Sequence, residues 1–238
     1  MKTVAVVLAA GSGSRMKSDV KKQYLDIGGK PLIYYSLKAF EESIVDDIVL
    51  VVSRGDIDFV RSEIVEKYGF DKVKAIVEGG LYRYHSVRLG LLAADDDYDY
   101  AFIHDGARPF LTKEIILRAL DGARNYGACV VGMPVKDTVK ISDEDGFAIS
   151  TPNRDRTWIV QTPQTFSYKL IKDLYIRLDR EEEELIAKGV NITDDAMVVE
   201  YFTDKKVKLV EGSYTNIKIT TPEDIPTAEA ILGVRKSG

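Results

Sequence analysis

An apolar run, Val4-Ala5-Val6-Val7-Leu8-Ala9-Ala10, passes into Gly11-Ser12-Gly13-Ser14-Arg15-Met16 and then turns cationic. From Arg15 to Lys22 there are four cations, Arg15, Lys17, Lys21 and Lys22, against one anion, Asp19. That is a local +3 in a chain whose formal net charge is -5. Small residues expose backbone amides without obstruction, and N–H groups gathered at a strand-to-helix turn favour anions. The segment is suited to a nucleoside triphosphate. It fits neither common phosphate fingerprint: GxGxxG needs glycine where Met16 stands, and GxxxxGK(S/T) finds no match after Gly11 or Gly13. A kinase-like P-loop or a dinucleotide site is thereby disfavoured. Taken alone, the segment also reads as a glycine turn beside a solvated basic patch.

Two further clusters offer chemistry. Glu78-Gly79-Gly80-Leu81-Tyr82-Arg83-Tyr84-His85-Ser86 combines close backbone approach at the glycines with hydroxyl and guanidinium donors at a helix start, and also suits a simple helix cap. Ile103-His104-Asp105-Gly106-Ala107-Arg108-Pro109 puts a carboxylate directly after an apolar strand. Mg2+ bound to a triphosphate takes one or two protein carboxylates, with phosphate and water supplying the rest. Asp105 is therefore the metal candidate; the competing reading is a carboxylate that caps the next helix or pairs with Arg108. His104 reads as a hydrogen-bonded strand-end residue rather than a base, because a phosphate nucleophile arrives already ionised.

These clusters require elements that bring them together. Strands are expected at 3–8, 47–52, 73–77, 99–104 and 128–133, with helices at about 31–42, 56–68, 83–94 and 112–126. Repeated βα order implies an α/β fold, a Rossmann-like, mostly parallel sheet with helices on both faces and ligands beyond the carboxyl ends of the strands. The loops 8–23, 78–86, 104–109 and 134–138 then meet at one edge. After residue 134 the pattern changes: 135–142, the acidic turn 143–146 and 147–151 predict a hairpin that leaves the sheet as a protruding β-arm at about 135–157. Such an arm cannot bury both faces within its own subunit, so a homodimer is expected. The acidic run 181–184 reads as a solvated helix face. Asn216–Thr220 reads as a short strand, followed by a helix with Thr221 as N-cap and Pro222 at its first position.

Composition bounds the rest. At 238 residues and 45% hydrophobic content, about 150 residues per domain allows one large domain or two small ones, and a single domain over 1–238 with the arm as an excursion is expected. A pI near 5.3 argues against a broad nucleic-acid footprint. No apolar run suits a membrane span, and a cytoplasmic protein is expected. The single Cys129, set among Ala128, Val130 and Val131, reads as core packing. With only His85 and His104 besides, no zinc cluster can be assembled.

The segments LAAGSGSRM with KKQYL, GGLYRYHSV, IHDGARP, PVKDTVK, NRDRTW with QTPQTF, ITDDA and NIKITTPEDI resemble, in order, the motifs of the 2-C-methyl-D-erythritol 4-phosphate cytidylyltransferases. HDGARP and NIKITTPED are the most specific, and the match runs from Val4 to about Leu232. The resemblance implies transfer of CMP from CTP to methylerythritol phosphate, releasing pyrophosphate, in the non-mevalonate isoprenoid pathway. It places the catalytic cations on Arg15 and Lys22. Lys21 stands where the family usually has proline, which leaves open which lysine reaches the phosphate. Arg154 and Lys218 match the pair that grips the acceptor phosphate, with Thr138, Thr162 and Arg108 nearby and some of these contributed across a dimer. The backbone of Leu8, Ala9, Ala10 and Gly11, with Gly80 and Ser86, would hold the cytidine, and Asp105 would hold Mg2+. Leu81 stands where the family often has Asp or Glu, removing a side-chain contact to the nucleotide. Two alternatives stay open: a pentitol phosphate cytidylyltransferase, such as the ribitol-5-phosphate enzyme, and a non-catalytic nucleotide-binding regulator.

Overall fold

A computed structural model describes residues 1–11 and 21–236. The elements in chain order are β1 (Thr3–Ala9), a 3-10 turn (Lys22–Tyr24), β2 (Asp26–Ile27), β3 (Lys30–Pro31), α1 (Leu32–Glu41), β4 (Asp47–Val52) and α2 (Ile57–Val60), which runs on through a π turn (Arg61–Glu66). Next come β5 (Val73–Glu78), α3 (Arg83–Leu92), β6 (Tyr100–Asp105), α4 (Lys113–Tyr126), β7 (Ala128–Pro134), β8 (Ile141–Ser142) and β9 (Ala148–Ser150). A 3-10 turn (Arg154–Arg156), β10 (Trp158–Ser167), α5 (Tyr168–Ala187), α6 (Asp195–Phe202), β11 (Lys208–Glu211) and α7 (Asp224–Lys236) complete the chain.

The five expected strands and four expected helices are all present, and the sheet is mostly parallel. Its order is β11-β7-β10-β6-β1-β4-β5, with β10 alone antiparallel to its neighbours. Alternation along β1 explains the layers. Val4 and Val6 pack on one face with Val87, Leu91 and Tyr175 from α3 and α5, whereas Ala5, Val7 and Ala9 pack on the other with Leu37, Phe40, Ile116 and Leu120 from α1 and α4. Each such buried Val, Leu, Ile or Phe side chain contributes about 1.5–3 kcal/mol. Cys129 lies in this interior, as expected.

The parallel strands end together at one edge, where β1, β4, β5 and β6 release their loops. Close approach there depends on missing side chains. A Cβ on Gly79 would stand 2.3 Å from the Ala10 Cβ, and one on Gly106 would stand 2.9 Å from the Leu8 carbonyl oxygen. β10 reaches the same edge through a bulge: between Val160 and Gln164 it advances four residues while β7 advances two, from Gly132 to Val130. Gln161 and Thr162 are thereby lifted out of the ladder.

The predicted hairpin forms as the separate β8–β9 sheet, and residues 136–151 are all exposed. Two expectations need correction. Asn216–Thr220 is not a strand; it is an irregular segment pinned by the Ile219 N–H donating to the Ala107 carbonyl at 2.9 Å and by a small core of Ile27, Leu32, Phe110, Ile219 and Ala228. The following helix begins at Asp224 rather than Pro222, because the Asp224 carboxylate accepts from the backbone N–H groups of Thr220 (2.7 Å) and Thr221 (2.9 Å). Those two amides lie ahead of the helix, and the Thr221 hydroxyl, expected to accept from amides inside its first turn, is instead 3.4 Å from the same carboxylate.

Candidate active site

Two adjoining cavities open at the strand ends. The first, about 360 Å³, is lined by the β1 terminus (Leu8, Ala9, Ala10, Gly11), by Lys22 and Gln23, and by Gly80 through Arg83 with Ser86. The second, about 330 Å³, is bounded by Arg108, the β10 bulge and Thr193–Asp194. Arg83, Asp105 and Lys218 line both. These three residues form the seam.

Asp105 is buried and surrounded by cations. Lys218 Nζ lies 2.8 Å from its Oδ2, Arg83 Nε 3.3 Å from its Oδ1 and Arg108 Nε 3.8 Å from its Oδ2. Burial alone would raise the carboxyl pKa, but Arg83, Lys218 and Arg108 outweigh it and hold Asp105 well below the usual carboxylate range. The backbone of Asp105 is fixed as well: its N–H donates to Thr162 Oγ1 at 3.1 Å, and that oxygen is 3.0 Å from His104 Nδ1. His104 Nε2 is 3.2 Å from the Arg108 carbonyl. Burial lowers the His104 pKa to about 4, so the ring is neutral and the chain runs from amide to hydroxyl to imidazole to carbonyl. His104 is thus the hydrogen-bonded strand-end residue expected.

Lys218 reaches the seam because its irregular segment is clamped on both sides. Arg108 Nη1 donates to the Asn216 carbonyl at 2.9 Å, and Asn216 Nδ2 donates to the Thr162 carbonyl at 3.0 Å. The neighbouring lysines separate clearly. Lys21 Nζ donates to Asp56 at 2.6 Å, and Asp56 also accepts from the Tyr24 hydroxyl at 2.9 Å, whereas Lys22 lines the first cavity with its Nζ 3.5 Å from the Ile219 carbonyl. Leu81 also faces that cavity and is 84% exposed. The Gly80 N–H donates to Ser86 Oγ at 3.1 Å, tying the glycine turn to the α3 start.

The structure does not bring every expected residue together. Arg15 lies outside the described residues. Arg154 and Thr138 are exposed and line neither cavity; Arg154 Nη1 lies 3.5 Å from the Lys136 carbonyl. The acidic run 181–184 needs correction, since Glu182 accepts from the Tyr84 hydroxyl at 2.6 Å and stands 2.9 Å from His85 Nε2, fastening α5 to the α3 start. Sequence reasoning did not single out Asp195. It is fully buried, with Arg83 Nη1 and Nη2 each 2.8 Å from its two oxygens and the Tyr175 hydroxyl donating at 2.5 Å. Two adjacent acids ahead of the apolar Ala196-Met197-Val198-Val199 were the available signal: Asp194 caps α6 by accepting from the Met197 N–H at 2.9 Å, which leaves Asp195 to face inward.

Residues 3–234 match the family model described as IspD, 2-C-methyl-D-erythritol 4-phosphate cytidylyltransferase. The chain belongs to that family. It is 49% identical over 231 residues to the 2-C-methyl-D-erythritol 4-phosphate cytidylyltransferase of Lachnoclostridium phytofermentans, covering 97% of this chain and 96% of that protein. It is 47% identical over 238 residues to the enzyme of the same name from Alkaliphilus oremlandii, covering 100% and 98%. Among solved structures, 4-diphosphocytidyl-2C-methyl-D-erythritol synthase from Anaerococcus prevotii superposes with a TM-score of 0.82 at 37% identity, covering 98% of this chain and 96% of that one. As a member of this family the chain is a nucleotidyltransferase that transfers CMP from CTP to methylerythritol phosphate, releasing pyrophosphate. No described helix is long and apolar enough to cross a membrane.

Proposed function

We propose that the two cavities are the CTP and methylerythritol phosphate subsites of one cytidylyl-transfer centre. The observation that carries this is the shared seam of Arg83, Asp105 and Lys218 between a glycine-lined cavity that holds Lys22 and a second one that holds Arg108. An oxygen of the acceptor phosphate attacks the α-phosphorus of CTP, the bond to the β-phosphate bridge breaks, and pyrophosphate leaves with the electron pair. No proton has to be removed, since the nucleophile is already anionic. The difficulty is bringing two anions together, so positioning and preplaced cations supply the acceleration.

Lys22, with Arg15, neutralises the charge that grows on the α-phosphate. The Lys21–Asp56 pair favours Lys22 over Lys21 for this role. The backbone of Leu8 to Gly11, with Gly80 and Ser86, holds the cytidine. Lys218 and Arg108 meet the acceptor phosphate, Thr162 fixes the Asp105 backbone beside it, and Arg154 and Thr138 reach it from a second copy of the chain. Among the described residues no group of three or more His, Cys, Asp or Glu could hold a metal ion. A lone carboxylate at the seam fits the mode in which Mg2+ is held chiefly by triphosphate and water. Asp105 would hold the ion, which supplies charge neutralisation on the triphosphate. The homodimer is supported by apolar side chains standing out on the hairpin, Val139, Ile141, Phe147 and Ile149. Charged, water-soluble substrates accord with a cytoplasmic enzyme.

Pyrophosphate release from CTP, measured with methylerythritol phosphate and with ribitol 5-phosphate, tests the reading. Turnover should favour methylerythritol phosphate, and Lys22→Ala should cost on the order of 10²- to 10³-fold in kcat, with Lys21→Ala costing far less. Preference for ribitol 5-phosphate would reassign the acceptor. Absence of turnover with both would leave a nucleotide-binding regulator, and a dead Lys21→Ala beside an active Lys22→Ala would exchange the two lysines.

A further inference from the structure

We propose that Asp195, which lines neither cavity, is a positioning residue for the transfer centre: it grips both terminal nitrogens of Arg83 and thereby keeps Arg83 on Asp105 instead of on the phosphates. The inference deepens the cytidylyl-transfer reading and rests on it.

The geometry separates a fixed cation from a free one. Lys218 and Arg83 both touch Asp105, yet their anchorage differs. The Lys218 side chain is 36% exposed, and Asp105 is its ion-pair partner. Arg83 is bound end-on by a carboxylate with no exposed surface, at 2.8 Å on each side, and the Tyr175 hydroxyl fills a further lone pair of that carboxylate. A bidentate guanidinium–carboxylate pair fixes direction as well as distance, and a buried one resists competition from solvent. Only Nε remains aimed at the seam, where it meets Asp105 Oδ1.

Charge explains why such a grip is useful. A triphosphate entering the first cavity attracts every nearby cation. Lys218, which also borders the second cavity, can turn to the acceptor phosphate, and its departure exposes Asp105 Oδ2. Arg83 must not follow, because Asp105 would then lose both its nearest partners and its orientation. Asp195 offers Arg83 a permanent full counter-charge on the side away from the phosphates. Asp195 thus stands two residues from the chemistry, acting through Arg83 on Asp105.

Asp195→Asn keeps the shape but removes the counter-charge and one acceptor. Turnover should fall roughly 10- to 100-fold, the scale of a misplaced reacting group, while CTP binding by calorimetry stays equal or tightens as Arg83 is released toward the phosphates. Tyr175→Phe, which removes a single hydrogen bond, should shift kcat in the same direction by a few fold and covers the case in which Asp195→Asn does not fold. A double-mutant cycle with Asp105→Asn should show that the Asp195 effect shrinks once Asp105 is altered, since both act on one group. Losses that multiply, or kcat per folded molecule unchanged in both variants, would overturn the proposal in favour of a purely structural ion pair. If the unmutated enzyme turns over neither acceptor, the cytidylyl-transfer reading falls by itself. The inference is then decided by a crystal structure of Tyr175→Phe or Asp195→Asn, in which an Arg83 Nε–Asp105 contact that survives unmoved would reject it.

Discussion

Asp105 depends on a neighbour that never meets the substrate. His104 can hold Thr162 and the Arg108 carbonyl in one chain only while its ring is neutral, and burial keeps it so, with a pKa of about 4 against 6.5 in the unfolded chain. The sign follows from proton counts: between those values the unfolded state binds the proton and the folded state does not, so stability falls as pH falls. The loss from pH 6.5 down to 4 amounts to on the order of 3 kcal/mol. Asp105 has the same sign, with a depressed folded pKa, but its contribution is intact above the ordinary carboxyl range and is lost only as pH falls through and below it. Melting temperatures from pH 7 to 4.5 should therefore decline, and the decline should be shallower in His104→Gln. Parallel curves for the two proteins would show that His104 is not the group responsible.

At the scale of elements, the site depends on strand ends that approach more closely than side chains permit. Gly106 follows β6 directly, and a Cβ there would meet Ile33 Cδ1 at 2.4 Å and the Leu8 carbonyl oxygen at 2.9 Å. A flexible side-chain tip can give way, but the β1 backbone cannot do so without moving the nucleotide loop. Gly106→Ala should thus cost about 1–3 kcal/mol in stability and lower turnover at least tenfold by displacing Asp105, as checked by thermal melts beside steady-state kinetics. A variant with unaltered kcat would mean that the β6 end tolerates the shift. These parallel strands were legible in the sequence because strands buried on both faces read as unbroken apolar runs. β10 was not legible. Trp158-Ile159-Val160-Gln161-Thr162-Pro163-Gln164-Thr165-Phe166 carries a proline and buries Gln161, Thr162, Gln164 and Thr165, so its polarity imitates a loop although most of those groups find internal partners. Likewise, four consecutive acids at 181–184 give no clue that Glu182 alone turns toward Tyr84 and His85, since the choice is made by the packing of α5 on α3. Asp105 was found because it directly follows a readable strand, and Lys22 because it stands in a cation cluster after a glycine loop and in a motif shared with the family. Asp195 escaped because its burial is tertiary.

The whole molecule leaves one expected pair unjoined. Lys218 sits at the seam, 2.8 Å from Asp105, whereas Arg154 lies on an exposed 3-10 turn after the hairpin and borders neither cavity. The hairpin has no core of its own, and Phe147 and Ile149 stand open to solvent. A second copy covering those side chains would bury apolar surface and could deliver Arg154 to the neighbouring acceptor cavity, each subunit lending its arm to the other. Arg154→Ala and Lys218→Ala should each remove a charge-assisted contact worth roughly 1.5–3 kcal/mol, raising KM for methylerythritol phosphate or lowering kcat while CTP binding measured alone stays near normal. Mixing the two inactive chains discriminates the architectures. In a mixed dimer, one site draws Lys218 from the Arg154→Ala chain and Arg154 from the Lys218→Ala chain, and is intact; the other site lacks both. Random exchange makes half the dimers mixed, so about a quarter of normal activity should return. A mixture that stays inactive despite proven subunit exchange would place Arg154 and Lys218 within one subunit and require the hairpin to fold back over its own cavity, and unchanged kinetics in both single variants would remove the pair from the acceptor site altogether.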